Sequence, residues 1–462
     1  MGPKSGGQPP QGGGCEDLVC FEDQPFFSVE LGDVLPSVRL VSMVENSTSR
    51  SLKQRGMNII SYQGVTGNGG AAFQRMMSDD RFLRSCLAGD PPCVFSPGMT
   101  KLMGQLRRNY GACVAAVKSP LRQRLGNKLR FQTMCRNLGL PHNQTIEFAG
   151  LASGEFANAF SAGSDELGLP FVVQSKWGAG GVGTFLIEST ADLESHFPSL
   201  RDGCRMTRFI PDCIPYSTQG CVGDVCLPVR GPFLQLVGLP ELTPDRFQFV
   251  GDDTNTAQLS AAQILFTHTA TLKIAGHLKA EGFRGLFGVD FLFDPATEEL
   301  FVQEVNPRPP VVANLVLAVQ KDQGRDLDIF EHLTAFEMPP PFSQTGGDGA
   351  MDMDIQGRAY AQVDLRNTAG TSVLVPASRE PGVFEIEGEG IKRIGSALCL
   401  NALEGEQIGV IYFPDGGSTI QPGELLCRIM LKRQITDTST SRISDRGKAI
   451  IGRLTKHILS PV

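Results

Sequence analysis

Two short stretches restrict the fold of this chain more than any others: GVDFLFD from Gly288 to Asp294, and ELFVQEVN from Glu299 to Asn306. Each reads as a strand, with a turn around Pro295 between them. On the first strand Asp290 and Leu292 share one face; on the second, Leu300, Val302, Glu304 and Asn306 do. If the hairpin closes with Leu292 facing Val302, Asp290 falls opposite Glu304, with Asn306 next along. Two carboxylates directly across a ladder repel each other and weaken the pairing. A cation between them removes that cost, and hard oxygen ligands of this type suit Mg²⁺, with phosphate oxygens and water completing its shell. The competing reading is two unrelated surface charges, and spacing alone leaves both open. Arg308 would extend the site with a fork that holds a carboxylate or phosphate bidentately, on backbone stiffened by Pro307, Pro309 and Pro310.

Composition sets the frame around that hairpin. With 462 residues, 41% hydrophobic and 20% charged, the chain has ordinary globular make-up and enough length for roughly three domains or lobes. A net charge of −7 argues against non-specific nucleic-acid binding as the main task. The charge is uneven: from Pro91 to Ile146 there is no acidic residue, while Lys101, Arg107, Arg108, Lys118, Arg122, Arg124, Lys128, Arg130 and Arg136 are basic. On charge alone a solvated helix face is the favoured explanation over a region near bound phosphates. No stretch approaches the roughly 20 apolar residues of a membrane-spanning helix, and the Gly/Pro-rich start lacks the apolar run of a secretory signal. The twelve cysteines form no CxxC pair or framework, which fits reduced thiols and a cytoplasmic location.

Read for organisation, residues 1–23 form a disordered tail and 24–125 an open α/β domain of short strands alternating with helices. Asn127 to Leu138 has the apolar spacing of a helix, with Asn127 as its N-cap and Gly139 as its stop. FVVQSKWGAGGVGTFLI, from Phe171 to Ile187, reads as strand, Gly-rich turn and strand. Ala257 to Ala280 reads as a helix. Residues 338–357 are linker-like, and 358–462 hold short β-like runs expected to fold as a separate β-rich domain.

The glycine run Gly178 to Gly183 matches neither dinucleotide fingerprint nor P-loop: a strand follows it rather than a helix, and no Gly-Lys-Ser/Thr closes it. A Gly-rich tip between two strands can lay its backbone N–H groups over phosphates as a lid, although a plain flexible hairpin is the commoner case. The order of features carries more weight. The helix beginning at Lys128 and ending in Gly-Leu-Pro, the glycine hairpin, the segment MTRFIP, and GVDFLFD…FVQEVNPR together resemble the ATP-grasp superfamily, of the kind typified by biotin carboxylase and D-alanine–D-alanine ligase. The resemblance covers roughly Asn127 to Leu315 and would make 126–337 an ATP-grasp domain.

That resemblance implies roles for individual residues. Lys128, eleven residues before Gly139, matches the family's first phosphate-binding lysine. The loop containing Gly178, Gly180, Gly181, Gly183 and Thr184 would be the phosphate lid. Thr207, Arg208, Phe209 and Ile210 would form the hinge whose backbone binds adenine. Asp290, Glu304 and Asn306 match the Mg²⁺ ligands, with Mn²⁺ the alternative metal, and Arg308 a catalytic residue near the transferred phosphate or acid. Two positions depart from the pattern. Gln174 stands eight residues before Val182, where the family has a second lysine, and Thr207 stands where an acidic residue is common. Two apart on a strand, Gln174 and Lys176 point the same way, so Lys176 is expected to replace the missing charge as a nucleotide-binding and catalytic cation. The implied activity is that of an ATP-dependent ligase: it activates a carboxylate as an acyl phosphate and couples it to an amine, by analogy an amino acid or peptide. A bicarbonate-activating carboxylase and a non-catalytic nucleotide-binding protein are the alternatives. The expected partners are small molecules, not nucleic acid or membrane, with homodimerisation left open.

Overall fold

The computed structural model describes residues 18–62, 69–87, 89, 91–152, 154–224, 229–338 and 359–461. Strands β1 (Leu18–Glu22), β2 (Arg39–Ser42), β3 (Ile59–Ser61), β4 (Cys93–Phe95) and β5 (Cys113–Val114) form a parallel sheet in the order β3-β2-β1-β4-β5. The expected α/β domain is present, but it starts earlier than expected. LVCFE is buried at every position and is the central strand, so the supposed tail cannot extend to Asp23. Short as it is, this run has the continuous apolar character of a strand covered on both faces.

A second sheet is antiparallel and small. It contains β6 (Thr145–Phe148), β7 (Phe171–Ser175), β8 (Thr184–Ile187) and β9 (Cys204–Arg208), in the order β6-β9-β7-β8. The glycine run joins β7 to β8, as the sequence predicts. Beside the sheet lies the helix Lys128–Leu138, with the caps expected of it. The Asn127 side chain accepts from the Leu129 N–H at 3.0 Å, and Gly139 closes the helix in the left-handed conformation at φ 61°.

The third sheet has ten strands. It comprises β10 (Ile214–Val222), β11 (Arg230–Val237), β12 (Phe249–Asp253), β13 (Gly285–Asp294), β14 (Glu299–Asn306) and β15 (Ala361–Arg366). After a two-stranded ribbon of β16 (Val373–Leu374) with β20 (Thr419–Ile420), its remaining members are β17 (Gly382–Glu387), β18 (Gly390–Gly395), β19 (Ile408–Tyr412) and β21 (Leu425–Leu431). The order is β14-β13-β10-β11-β12-β15-β21-β19-β17-β18. The C-terminal strands therefore extend the central sheet instead of closing one of their own: β15 pairs antiparallel with β12, through Asp252 opposite Gln362. The linker-like segment lies outside the described residues apart from Met338, which is buried. Phe287, Val289 and Phe291 of β13 are fully buried and belong to the same core as Ala270, Ile274 and Leu278 of the helix Ala261–Ala280, whose N-cap is Ser260. No described helix is long and apolar enough to cross a membrane.

One buried histidine ties the parallel sheet to the large one. His332 takes the Leu286 N–H on Nδ1 at 2.9 Å, and Nε2 lies 3.0 Å from the Ala115 carbonyl. An acceptor on Nδ1 and a carbonyl at Nε2 fix the neutral tautomer with its proton on Nε2. Burial pushes the pKa down from 6.5 to about 4. Unfolded chains bind this proton below about 6.5 and the folded chain does not, so stability rises with pH between about 4 and 6.5 and is fully present above that window. Replacing His332 with Phe keeps a ring but leaves a buried N–H and carbonyl unpaired, at a cost of about 2–4 kcal/mol. Thermal unfolding across that pH range should show both the lower stability and a flatter pH slope; a variant as stable as the parent at pH 7 would refute the bridging role.

Candidate active site

The small sheet and the β14 side of the large sheet face each other across a cavity of about 660 Å³. Lys128, Gln174, Gly180, Gly181, Thr184, Thr207, Arg208, Phe209 and Ile210 line it from one side, and Asp290, Glu304, Asn306 and Arg308 from the other. Residues from five separate stretches of sequence thus converge on one space.

Asp290 and Glu304 are register partners on β13 and β14. The pairing differs from the sequence expectation in one respect: Phe291, not Leu292, lies opposite Val302, because a β-bulge falls between Asp290 and Phe291. Gln303 is the additional residue on β14. In an unbroken strand Val302 and Glu304 would share a face; here Val302 is fully buried in the core while Gln303, Glu304 and Asn306 line the cavity. The bulge re-aims the carboxylate, so the predicted opposition arises by a different route from the predicted one.

Each carboxylate is held by neighbours. Asp290 accepts from Asn306 Nδ2 at 2.8 Å and from Gln235 Nε2 at 3.1 Å. Lys128 Nζ, in a side chain only 6% exposed at the start of its helix, lies 3.1 Å from Glu304 Oε2. Burial and then the facing Glu304 charge raise the Asp290 pKa; Arg308, the Asn306 hydrogen bond and Lys128 oppose the shift. Among the described residues no group of three His, Cys, Asp or Glu side chains gathers around one point. Two carboxylates and an amide oxygen nonetheless fit a hard divalent cation whose remaining ligands are phosphate and water, because such an ion keeps part of its shell outside the protein.

The glycine hairpin lies down over this space. Gly180, Gly181 and Gly183 all have positive φ, and the Gly180 carbonyl accepts from the Phe249 N–H at 3.3 Å. A Cβ on Gly181 would come within 2.0 Å of the Phe247 carbonyl oxygen, so only glycine lets the tip seat there. Gly178 and Gly183 stabilise the turn without lining the cavity: a Cβ on Gly178 would meet the Val182 carbonyl oxygen at 2.2 Å, and one on Gly183 the Ser175 hydroxyl at 2.1 Å.

Lys176 does not stand where the two-residue period placed it. Strand β7 ends at Ser175, whose hydroxyl donates to the Trp177 carbonyl at 2.6 Å and turns the chain. Past the strand the alternation no longer applies. The Lys176 ammonium lies 5.3 Å from the centre of the Trp177 ring and is not part of the cavity wall. At the hinge, the Arg208 N–H already donates to the Gln144 carbonyl, and its carbonyl accepts from Asn143 Nδ2, so base recognition by this backbone would fall to Phe209 and Ile210.

Sequence reasoning missed Ser217, Gln235 and Asp252, which line the cavity floor, because β10 to β12 were not read as strands. Asp252 is 1% exposed and its pKa is pushed up to about 7, chiefly by burial. It also missed Arg205. The signal was there: Arg205 and Thr207 are two apart on one strand and so share a face.

No family model matches the chain. The biotin carboxylase domain of 2-oxoglutarate carboxylase from Hydrogenobacter thermophilus, solved with MgADP, ADP and bicarbonate, superposes with a TM-score of 0.60 at 14% identity, covering 92% of this chain and 87% of its own. Carboxyaminoimidazole ribonucleotide synthase from Aspergillus clavatus, solved with ATP, does so with a TM-score of 0.56 at 12% identity, covering 96% and 98%. In sequence, the formate-dependent phosphoribosylglycinamide formyltransferase of Burkholderia vietnamiensis is 26% identical over 198 residues, which is 39% of this chain. The match spans about half of that relative's length, 46%. At these identities the structural likeness is one of fold, and it extends over nearly the whole chain.

The seated lid gives a direct test. Gly181→Ala combines a φ of 91° with a backbone clash, so the tip should lift from Phe247 while the sheets remain intact. MgADP affinity by calorimetry should fall by about tenfold or more, equivalent to roughly 1.4 kcal/mol, with little change in the circular dichroism spectrum. Unchanged affinity would mean that the hairpin does not cover the ligand.

Proposed function

We propose that this chain, which has the ATP-grasp fold, uses ATP to activate a carboxylate as an acyl phosphate and passes the acyl group to an amine, with an amino acid or peptide the favoured substrate class. The observation that supports the reading most is the bulged pairing that brings Asp290 and Glu304 face to face in a cavity also lined by Lys128, Asn306 and Arg308. Opposed carboxylates in a partly buried cavity suit a site built for a cation and a polyphosphate.

The chemistry follows in two steps. An oxygen of the substrate carboxylate attacks the γ-phosphorus, and the bond to the β–γ bridging oxygen breaks, that oxygen leaving with the electron pair as ADP. The amine then attacks the acyl carbon, phosphate leaves with its electron pair, and the amine nitrogen loses a proton. Mg²⁺, held by Asp290, Glu304 and Asn306, would draw off negative charge from the phosphates as the transfer proceeds. Lys128 sits beside Glu304 and adds a second positive charge there. Arg308 offers a planar fork for the acid or the transferred phosphoryl group. The hairpin excludes water, which protects an acyl phosphate from hydrolysis.

A second reading has support from the relatives' substrates: a one-carbon acid, formate or bicarbonate, in place of the larger acid. Both share the first step. ADP release should therefore be screened against formate, bicarbonate and amino acids, with ¹⁸O in the carboxylate. Transfer of one label to the released phosphate is expected from the true acid, and Glu304→Gln should abolish ADP release without unfolding the protein. Label in AMP with pyrophosphate formed, or near-normal turnover by that variant, would overturn the assignment.

A further inference from the structure

Behind the residues that line the cavity lies a buried arginine whose Nη2 makes no hydrogen bond. Arg205 is 2% exposed on β9, where its register partners are Gln174 of β7 and Glu147 of β6. Directly opposed residues of an antiparallel ladder project from the same face, and on this face Val172, Gln174 and Thr207 line the cavity. The guanidinium donates from Nε to Gln174 Oε1 at 2.8 Å, its carbon lies 5.5 Å from the centre of the Phe131 ring, and Nη2 is buried without a hydrogen-bond partner. Glu304 and Asp290, the opposed pair of the cavity, are both near enough to act on it electrostatically, as is Glu147. A buried cation with an unused donor is costly unless something anionic uses it.

Gln174 shows where that charge is directed. Its Oε1 receives a second donor, Gln303 Nε2, at 3.4 Å, and its own Nε2 lies 3.3 Å from Thr184 Oγ1 at the base of the lid. Two donors converging on one atom fix that atom as the oxygen. The amide N–H₂ is thereby turned toward the lid base and the cavity. Along β7, Gln174 is two residues nearer the lid than Val172, which pairs with hinge residue Thr207. Through Gln303 it also adjoins the carboxylate Glu304. Both placements correspond to the phosphate end of a bound nucleotide rather than its base.

We propose that Arg205 and Gln174 form one phosphate-binding unit, in which the buried guanidinium holds the amide carbonyl, directs the amide N–H₂ at a phosphoryl oxygen and supplies the positive charge behind it. The inference rests on the nucleotide reading given above. Gln174 touches the phosphate; Arg205 is a positioning residue that acts through it. A charged donor on the carbonyl polarises the amide, so its N–H bonds are stronger donors than those of an isolated glutamine. The cation sought at Lys176 is thus found on the neighbouring strand.

The test is nucleotide binding by the full chain, measured by calorimetry with adenosine, MgADP and MgATP. Arg205→Met should weaken MgADP and MgATP by about tenfold or more while leaving adenosine binding unchanged, and Gln174→Leu should do the same with Arg205 in place. Gln174→Lys in the Arg205→Met background should recover MgADP affinity, since a lysine then supplies the missing charge directly. Should Arg205→Met fail to fold, Gln174→Leu decides alone. Wild-type affinity for MgADP in Gln174→Leu, or equal losses for adenosine and MgADP in either variant, would overturn the unit while the nucleotide reading stands. Absence of MgATP binding by the wild-type chain would instead overturn the nucleotide reading itself.

Discussion

The opposition of Asp290 and Glu304 is the constraint around which the site is organised. Like charges across a ladder weaken a sheet, and here the pair is also shielded from water, so every neighbour bears on its cost. Lys128, Asn306, Gln235 and Arg308 are drawn toward it from a helix, the same hairpin, the next sheet position but one, and the proline-stiffened segment beyond. Gln235 reaches Asp290 past β10, where the intervening residue is the small Ser217. The polar row continues to Asp252, Gln362 and Asn314. Such a row is a poor way to stabilise a sheet and a reasonable way to hold a highly charged ligand.

The two sides of the cavity are built differently. The large sheet is anchored by the helix Ala261–Ala280 and by ten strands in one ladder, whereas the small sheet has four strands and rests on short helices. Contact between the lid and the large sheet near Phe249 is a backbone bond and a close glycine approach, not a packed apolar interface. Elements joined so lightly open at low free-energy cost, which suits a cover that must admit and release a ligand.

Much of this was legible in the sequence. The helix at Lys128 has its caps in the right places, the glycine run lies between two β-rich segments, and the carboxylates occur at hairpin spacing. These are local signals, and local physics fixes them. What escaped depends on pairing across distant segments. The bulge at Gln303 changes which face Val302 occupies, and no periodicity reveals it. The union of the C-terminal strands with β12 is set by residues about a hundred positions apart. Lys176 lies beyond the end of β7, one residue past the last position to which the alternation applies, whereas Arg205 shares a legible strand face with Thr207 and only its partner Gln174, on another strand, lay out of reach.

The bulge has a consequence of its own. Gln303 is one residue inserted into an otherwise regular ladder, and its loss would let β14 pair with β13 without interruption. Backbone hydrogen bonding would improve, and Glu304, then directly following Val302, would still fall opposite Asp290 on the cavity face, because Val302 pairs with Phe291 and Asp290 is the next residue of β13. A single in-frame codon deletion would therefore leave the carboxylates opposed and remove the amide that Gln303 offers to Gln174 across the cavity. What the extra residue adds is its own side chain, a link along the cavity wall from the large sheet to Gln174 of the small one.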